Sequence, residues 1–269
     1  MAPVYPWDGP LRYGRATALG VQGAIRTPVI TFDAGQTLVE LDLDFLAARL
    51  GERGVIISPD ALAAAAPAAW RHYDTVVDAG HDHGHAWRAL FTRLLADAGI
   101  ADPEPHVAWL WAENPRANLW RKPIAGMVEL ARELGRWGVT VAVLSNSEGG
   151  LAELLADIGI ADAFAAIIDS GRVGFEKPDR RIFEYALEAV GAAGAEAIHI
   201  GDSWDADIVG ARAAGWRAIW YPRGTGSPDG SLAYGRRGAP VDDPSIAIAH
   251  DPSEVRAALA RWGVARESG

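Results

Sequence analysis

The feature that most constrains the fold of this chain is the regular alternation of apolar runs and amphipathic segments that begins after Trp120. Runs such as VTVAVLSN and AEAIHIGD have the length and the β-branched content of buried strands. Between them lie segments such as IAGMVELARELGRWG and PDRRIFEYALEAVG, which have the spacing of amphipathic helices. Strands that alternate with helices form a parallel sheet with both faces covered. The pattern predicts an α/β fold with a doubly wound parallel sheet, and the earlier run TPVITFD at 27–33 supplies its first strand.

The chain between this first strand and the alternating part follows a different pattern. Four segments there have helical spacing, and none of them reads as a strand. The second of the four opens with a serine N-cap followed by proline, which is a helix start signal. The segments are VELDLDFLAARLGERG, SPDALAAAAPAAWRHYDTVVDAG, GHAWRALFTRLLADAGI and DPEPHVAWLWAENPR. We predict a core formed by 1–37 and 119–269, with an N-terminal extension at 1–27 and a loop near 222–244, and a helical cap at 38–118.

Composition and charge exclude several classes of function. The net charge is −10 and the pI is ≈ 5.1, the opposite of the basic face that nucleic-acid phosphates require. Without any cysteine, disulfides, thiolate nucleophiles and cysteine–metal sites are excluded. No apolar run reaches the roughly 18 residues typical of a membrane span, and the first residues lack a signal-peptide pattern. We expect a cytoplasmic protein, a monomer or a homodimer, without nucleic-acid or membrane partners.

Polar residues follow three of the predicted strands and occupy one loop nearby. Ligands of open parallel sheets bind at the carboxyl ends of the strands, so these residues are expected to meet in one crevice. Lysine occurs only at 122 and 177 in this chain, so a lysine in the loop GRVGFEKPD favours a specific role. The residues are Asp33, Gly35 and Thr37 after the first strand, Ser145 and Asn146 after VAVL, Lys177 in the loop, and Asp202 and Asp207 after AIHIG.

These segments together resemble a known superfamily. The ordered motifs are Asp33-x-x-x-Thr37, Ser145-Asn146, Lys177-Pro178 and Gly201-Asp202-x-x-x-x-Asp207. In order and position they resemble the four motifs of the haloacid dehalogenase superfamily, and the insertion at 38–118 resembles the cap of its helical-cap members. The resemblance covers nearly the whole chain from about 28 to 262. It implies a Rossmann-like core and a hydrolase, of which a Mg²⁺-dependent phosphohydrolase or phosphotransferase acting on a small phosphorylated metabolite is the expected type.

The resemblance implies a catalytic role for several residues. Asp33 would be the nucleophile that takes up the phosphoryl group. Lys177 would neutralise that carboxylate and the charge of the transition state. The hydroxyl groups of Thr37 and Ser145 would hold the phosphoryl oxygens, and Asn146 would contact the substrate.

The resemblance also implies a magnesium site. Mg²⁺ prefers hard oxygen ligands. Asp33 and Asp202 would supply carboxylate oxygens, and Gly35, which would also contact the substrate, would supply its carbonyl oxygen. Asp207 would either bind the ion directly or support a residue that does.

The sequence departs from the phosphatase pattern at Gly35. Phosphatases of this superfamily usually carry an aspartate there, which protonates the leaving oxygen and later activates water. General acid–base catalysis contributes typically ~10²–10⁴ in rate, or roughly 3–5 kcal/mol of barrier. Either the leaving group needs no acid, as in an acyl or aryl phosphate, or another group supplies the proton. The remaining alternatives are dehalogenation, and a protein with little or no turnover that binds a phosphometabolite or a partner.

Residues outside the motifs bear on these alternatives. Dehalogenases of the superfamily use no metal and carry an aromatic residue at the position of Gly35, so the metal-type sequence GDSWDAD disfavours dehalogenation. Carbon–phosphorus cleavage in the superfamily uses a cap lysine, and 38–118 contains none. The sequence HDHGH could bind a metal or supply a proton through His81, His83 and His85, and a solvated loop is the alternative.

Overall fold

The computed structural model of the protein describes residues 28–81, 83–222 and 243–264. The predicted N-terminal extension and all but the ends of the loop near 222–244 lie outside these residues. In chain order the elements are β1 (Val29–Phe32), β2 (Val39–Leu41), α1 (Leu43–Gly51), α2 (Pro59–Asp78), α3 (His83–Asp97), α4 (Glu104–Glu113), β3 (Trp120–Pro123), α5 (Ala125–Arg136), β4 (Val141–Ser145), α6 (Leu151–Asp157), β5 (Ala166–Asp169), α7 (Ser170–Val173), α8 (Arg180–Ala189), β6 (Ala197–Gly201), α9 (Gly210–Ala213), β7 (Arg217–Trp220), β8 (Ile246–Ile248) and α10 (Pro252–Arg261). A 3₁₀ turn at Ala161–Ala163 and a π-helical turn at Trp204–Val209 complete the described elements.

The described residues divide into two compact units, and the larger one is built on a parallel sheet. It comprises 28–39, 123–222 and 243–264. Its six strands have the order β5-β4-β1-β6-β7-β8, and every neighbouring pair is parallel. Strands β1, β4, β5 and β6 are buried at every position, as expected for a sheet covered on both faces. The predicted α/β fold with a doubly wound parallel sheet is confirmed.

The helices of this unit begin at caps that the sequence supplies. The Asp179 side chain accepts a hydrogen bond from the Arg181 N–H at the start of α8. Asp251 does the same for the first N–H groups of α10, and such caps typically contribute about 1 kcal/mol each. The apolar face of α5 is buried and holds Met127, Val128, Leu130, Ala131 and Leu134. Burial of these faces fixes the strands, and therefore the positions of the strand ends.

The second unit comprises residues 40–122 and is mainly helical. Its helices α1 to α4 enclose a core in which Trp87 and Phe91 are almost fully buried, with ring centroids 4.1 Å apart. Its role as a cap stays a prediction. None of the described helices of either unit combines the length and the apolar composition needed to cross a membrane.

The prediction that the first cap segment is helical from its start is wrong. Val39–Leu41 forms strand β2, which pairs with β3 in a separate two-stranded sheet. Helix α1 begins only at Leu43, after Asp42 caps it by accepting a hydrogen bond from the Phe45 N–H at 2.9 Å. The partner strand β3 is distant in sequence, so local periodicity could not reveal this pairing.

Two shorter elements also differ from the sequence prediction. Helix α7 occupies the start of the segment GRVGFEKPD, which was predicted to be a loop, and the Asp169 side chain caps it. The spacing of the segment ADIVGARAAG predicts a helix from Ala206, but the structure begins earlier, with the π-helical turn Trp204–Val209. Ser203 caps that turn by accepting a hydrogen bond from the Ala206 N–H at 3.2 Å.

Candidate active site

Asp33 follows β1, which lies between β4 and β6 in the sheet. Its N–H donates to the Ile200 carbonyl at 2.8 Å, so the pairing of β1 with β6 continues to this residue. The chain then turns around Ala34, whose carbonyl accepts from the N–H groups of Leu38 and Val39 at 2.9 Å. The turn leaves Asp33 at the carboxyl edge of the sheet with 7% of its surface exposed.

The turn after Asp33 contains polar groups without partners. Gln36 has φ 57°, a left-handed conformation that is uncommon for a residue other than glycine. The Gln36 side-chain nitrogen and the Thr37 hydroxyl are buried, and neither has a hydrogen-bond partner among the described residues. Unpaired buried polar groups cost free energy. Both groups are therefore suited to contact a bound ligand, whereas Gly35 contributes only backbone to this turn.

Ser145 and Asn146 follow β4 and reach two different parts of the site. The Ser145 hydroxyl donates to Asp33 Oδ1 at 2.9 Å. The Asn146 amide instead holds the backbone of Lys177: its nitrogen donates to the Lys177 carbonyl at 2.9 Å, and its oxygen accepts from the Lys177 N–H at 2.8 Å. The described contacts of the Asn146 side chain thus position the lysine, and the predicted contact with substrate stays a prediction.

Lys177 lies at the centre of the cluster and is only 4% exposed. Its ammonium group donates to Asp33 Oδ1 and to Asp207 Oδ1, both at 2.6 Å, and to the Leu144 carbonyl at 2.8 Å. All three N–H groups are therefore used. The lysine joins the end of β1 to the segment after β6, although it belongs to neither.

Asp202 and Asp207 follow β6 but have different surroundings. Asp207 Oδ1 accepts from Lys177 Nζ, and Asp207 Oδ2 accepts from the Ser203 N–H at 2.8 Å. Its side chain packs on Gly201, where an added Cβ would lie 2.2 Å from Oδ2, so only glycine allows this approach. No lysine, arginine or histidine in the described part of the chain forms an ion pair with Asp202. One carboxylate oxygen each from Asp33, Asp202 and Asp207 lie within 4.8 Å of one another, a spacing that could hold a metal ion.

Burial and mutual charge shift the pKa values of these groups. Burial raises the pKa of Asp33, and the charge of Lys177 opposes that rise. The pKa of Asp202 is raised well above its usual value by burial and by the negative charges of Asp33 and Asp207. Burial also acts to raise the pKa of Asp207, but Lys177 and a hydrogen bond from a histidine hold it below its usual value. Burial acts to lower the pKa of Lys177, but the carboxylates of Asp207 and Asp33 raise it. Asp207 and Lys177 therefore form a charged pair, and Asp202 is the carboxylate that most needs a cation.

The histidine in question, His199 in β6, was missed in the sequence analysis. It is fully buried, and its Nε2 lies 3.0 Å from Asp207 Oδ1. Its Nδ1 lies 2.8 Å from the Thr31 hydroxyl in β1. Burial and the nearby Lys177 lower the pKa of His199, although the hydrogen bond to Asp207 opposes this. The sequence feature that could have revealed this contact is the polar residue in each of two buried runs, Thr31 in VITF and His199 in AIHIG.

A second set of contacts fixes the loop after β4. The buried carboxylate of Asp169 accepts from the N–H groups of Gly149, Leu151 and Gly171 at 3.1, 3.0 and 3.0 Å. At Gly171 an added Cβ would lie 2.6 Å from the Ser147 carbonyl oxygen, so the two segments touch through their backbones. This clamp, which we define as Asp169 and Gly171 against 147–151, holds the loop that begins with Ser145 and Asn146.

The cap histidines form no comparable cluster among the described residues. His81 and His85 stack with ring centroids 4.3 Å apart, and the side chain of His83 lies outside the described part of the chain. Stacked rings do not point their nitrogens at one point, so this geometry does not favour a metal site. Their predicted part in proton transfer stays a prediction.

Comparisons with known proteins found related sequences and a related fold. A family model described as a haloacid dehalogenase-like hydrolase matches residues 27–215. Phosphoserine phosphatase from Thermus thermophilus is 34% identical over 165 residues, which are 58% of this chain and 64% of that protein. Glyceraldehyde 3-phosphate phosphatase from Methanopyrus kandleri is 29% identical over 157 residues, 56% of this chain and 64% of that protein. The chain therefore spans slightly less than two thirds of the length of these relatives.

A solved structure extends the similarity to the fold of most of the chain. The HAD-hydrolase YfnB from Bacillus subtilis, crystallised with magnesium, aligns with a TM-score of 0.63 at 22% identity. The alignment covers 87% of this chain and 99% of that protein. At this identity the likeness concerns the fold alone.

Proposed function

Because this chain belongs to the haloacid dehalogenase-like hydrolase family, we propose that it is a phosphohydrolase that acts on a small phosphorylated metabolite through an aspartyl-phosphate at Asp33. The observation that carries the proposal is the cluster in which Lys177 donates to Asp33 at 2.6 Å and Ser145 donates to the same oxygen at 2.9 Å. This carboxylate lies at the carboxyl edge of the sheet, where ligands of parallel sheets bind, and it caps none of the described helices. The names of the two phosphatase relatives support this reaction class.

In the proposed reaction, a carboxylate oxygen of Asp33 attacks phosphorus while the bond to the leaving oxygen breaks, and the leaving group departs with that electron pair. Water then attacks the phosphorus of the aspartyl-phosphate, which releases inorganic phosphate and restores the Asp33 carboxylate. Lys177 neutralises charge at the nucleophile throughout. The buried, unpartnered hydroxyl of Thr37 would donate to a phosphoryl oxygen, and Ser145 would turn its hydrogen bond toward the same group.

We further propose Mg²⁺ as the cofactor, since the neighbouring carboxylate oxygens of Asp33 and Asp202, beside Asp207, suit a hard divalent cation. Both oxygens of Asp207 already accept hydrogen bonds. Asp33 and Asp202, with the Gly35 carbonyl, are therefore the proposed ligands, and Asp207 supports Lys177 beside them. A bound Mg²⁺ would offset the repulsion between substrate phosphate and carboxylates.

The glycine at position 35 narrows the proposed substrate class. Without an acid at this position, a leaving group that departs unprotonated is favoured, as in acyl and aryl phosphates. An alkyl phosphate needs a proton on its leaving oxygen, and the missing acid would cost ~10²–10⁴ in rate. We therefore propose that the substrate is a phosphorylated metabolite whose leaving group, in its protonated form, has a low pKa.

Gly35 also favours a second candidate, a protein of this family that binds a phosphometabolite or a partner with little turnover. The two candidates share the same phosphate-binding groups. They differ in whether the Asp33 carboxylate goes through a full catalytic cycle.

The test is the hydrolysis of acetyl phosphate, p-nitrophenyl phosphate and a simple sugar phosphate, each with and without Mg²⁺. The Asp33→Asn variant provides the blank, and Asp202→Asn is expected to lose magnesium affinity and most activity. Magnesium-dependent turnover of the first two compounds only is the expected result. Equal turnover of the sugar phosphate would mean that another group supplies the acid. No turnover of any compound would favour the second candidate, a binding protein with little turnover. Full activity of Asp33→Asn would refute the assignment of Asp33 as the nucleophile.

A further inference from the structure

We infer that His199 is a positioning residue, which holds Asp207 and, through it, keeps Lys177 between the two carboxylates. The inference rests on the proposed function of the site, and its test includes a measurement that does not depend on turnover.

Both ring nitrogens of His199 are engaged inside the sheet. Nε2 faces Asp207 Oδ1 at 3.0 Å, and Nδ1 faces the Thr31 hydroxyl at 2.8 Å. A carboxylate oxygen only accepts, so Nε2 must carry the proton of this hydrogen bond. In the neutral ring Nδ1 then accepts from the Thr31 hydroxyl. The ring is used in a single orientation, with its donor directed at Asp207.

Strand β1 and helix α8 hold this orientation from two sides. The parallel register of β1 and β6 pairs Thr31 directly with His199. The ring of Phe183 in α8 packs edge-on against His199, with centroids 5.7 Å apart. Since His199 is fully buried, rotation of its ring would leave polar nitrogens without partners, which is costly.

The effect of His199 on the site passes through one oxygen atom. Asp207 Oδ1 accepts from His199 Nε2 and from Lys177 Nζ, while Oδ2 accepts from the Ser203 N–H. The neutral N–H of His199 shares the charge on this oxygen and fixes its position. Without it the Asp207 carboxylate can tilt, and Lys177, which is bonded to the same oxygen, moves relative to Asp33.

An apolar side chain would fill this place in β6 at a lower cost. The neighbours Ile198 and Ile200 are both fully buried, and a buried imidazole must recover the free energy of its lost hydration through hydrogen bonds. The contact with Thr31 alone would satisfy only one nitrogen. The second hydrogen bond is the one that reaches the proposed catalytic groups, which is why we assign it a positioning role.

Two amide substitutions separate positioning from packing. In His199→Gln the side-chain nitrogen reaches the place of Nε2 and keeps the donor to Asp207. In His199→Asn the amide reaches only the place of Nδ1, so it can pair with Thr31 but not with Asp207. Both variants place one amide group in the same buried site, so we expect the two substitutions to lower Tm by similar amounts.

Turnover of acetyl phosphate should distinguish the two variants. We expect the Asn variant to lose ~10-fold to ~100-fold in kcat, the scale of a small displacement of catalytic groups, with KM nearly unchanged. The Gln variant should stay within about threefold of the wild-type kcat, since its donor to Asp207 is kept. Equal kcat values in the two variants, or kcat losses that follow Tm alone, would overturn the inference.

Magnesium binding in the absence of substrate provides the second measurement. By calorimetry with MgCl₂, the Asn variant should bind the ion at least ~5-fold more weakly than the Gln variant, since displaced carboxylates bind less well. If the wild type hydrolyses none of the test phosphates, the proposed function fails, and this titration still tests His199. Equal magnesium affinities in the two variants would count against the positioning role.

Discussion

The ammonium group of Lys177 lies 2.6 Å from carboxylate oxygens of both Asp33 and Asp207 in a buried environment. Such a group does more than add one ion pair, because its removal leaves two carboxylates close together without a counter-charge. Breaking a buried charged pair by removing one partner typically costs about 3–5 kcal/mol. The same change removes the proposed stabilisation of the nucleophile, so stability and activity are linked at this residue.

Lys177→Met is therefore expected to lower the free energy of unfolding by about 3–5 kcal/mol and to abolish turnover. Urea unfolding and acetyl phosphate hydrolysis measure the two effects. The control is Lys122→Met, at the other lysine of the chain, whose side chain is 57% exposed and forms an ion pair with Glu40 at 3.1 Å. An exposed pair contributes about 0–1 kcal/mol. A small, equal loss of stability in both variants would contradict the structure of the cluster.

A substitution of Gly35 is expected to increase activity toward one class of substrate. Gly35→Asp places a carboxyl group where related phosphatases carry their acid, so hydrolysis of a sugar phosphate should rise relative to hydrolysis of acetyl phosphate. The upper bound is the ~10²–10⁴ that acid–base catalysis contributes. The ratio of the two kcat/KM values is the measurement. Gly35→Asn is the control, because it adds similar volume but cannot act as a general acid. An unchanged ratio would show that Gly35 does not set the leaving-group preference.

At the scale of elements, the parallel sheet brings the polar strand ends together. The sequence was sufficient to predict the strands and the convergence of their ends, because each buried run is mainly apolar and is followed by polar residues. The neighbours β4, β1 and β6 indeed carry Ser145, Asp33 and Asp202 at their carboxyl ends. The sequence was not sufficient to predict the contact of His199 with Asp207. That contact depends on the π-helical turn Trp204–Val209, which has no simple sequence signature.

The clamp of Asp169 and Gly171 against 147–151 makes a prediction about the loop after β4. In Gly171→Ala the new Cβ would lie 2.6 Å from backbone atoms of Ser147 and Gly149, so the loop must shift. Overpacking of this kind typically costs about 1–3 kcal/mol. Because Ser145 and Asn146 begin the loop, inhibition by inorganic phosphate should also weaken. Urea unfolding and the inhibition constant of phosphate are the measurements.

The matched control for this variant is Gly135→Ala in α5. Apart from the two neighbouring residues and the backbone of the helix itself, no described atom lies within 4 Å of the added Cβ there. Alanine in a helix is more favourable than glycine by roughly 0.5–1 kcal/mol. The same chemical change should thus stabilise at 135 and destabilise at 171. Stabilisation at both positions would show that the clamp is not closely packed.

At the scale of the whole molecule, the charge distribution predicts a response to magnesium. The chain carries a net charge of −10, and the carboxylates of the proposed metal site lie within 4.8 Å of one another. An ion that binds only the folded state stabilises it by about 2.7 kcal/mol at 100 times its Kd. At roughly 2–4 °C per kcal/mol for a chain of this size, Tm should rise by about 5–10 °C.

Thermal unfolding with and without MgCl₂ tests this expectation, and Asp202→Asn is the control. The variant should lose most of the magnesium-dependent rise in Tm. Its Tm without the ion should be no lower than that of the wild type, because Asp33 and Asp207 already repel the charge of Asp202. A wild-type Tm that does not respond, or an equal response in the variant, would contradict the proposed metal site.

The division into two units was only partly accessible from the sequence. Helical periodicity predicted the helices between the first strand and the alternating part, and α1 to α4 occupy that part of the chain. The structure divides the chain inside β2 and β3, at 39–40 and 122–123. The sequence pattern predicts these divisions at 37–38 and 118–119 instead, because strands of three and four residues give too little periodicity to be recognised.

The central claim is that Asp33 carries the phosphoryl group during turnover, and chemical trapping tests it most directly. The protein would be mixed with acetyl phosphate and Mg²⁺, treated with borohydride, digested, and analysed by mass spectrometry. Borohydride reduces an aspartyl-phosphate to homoserine, so the account predicts homoserine at position 33 in the wild type and none without substrate. Magnesium-dependent turnover with unmodified Asp33, or homoserine at another aspartate such as Asp202, would contradict it.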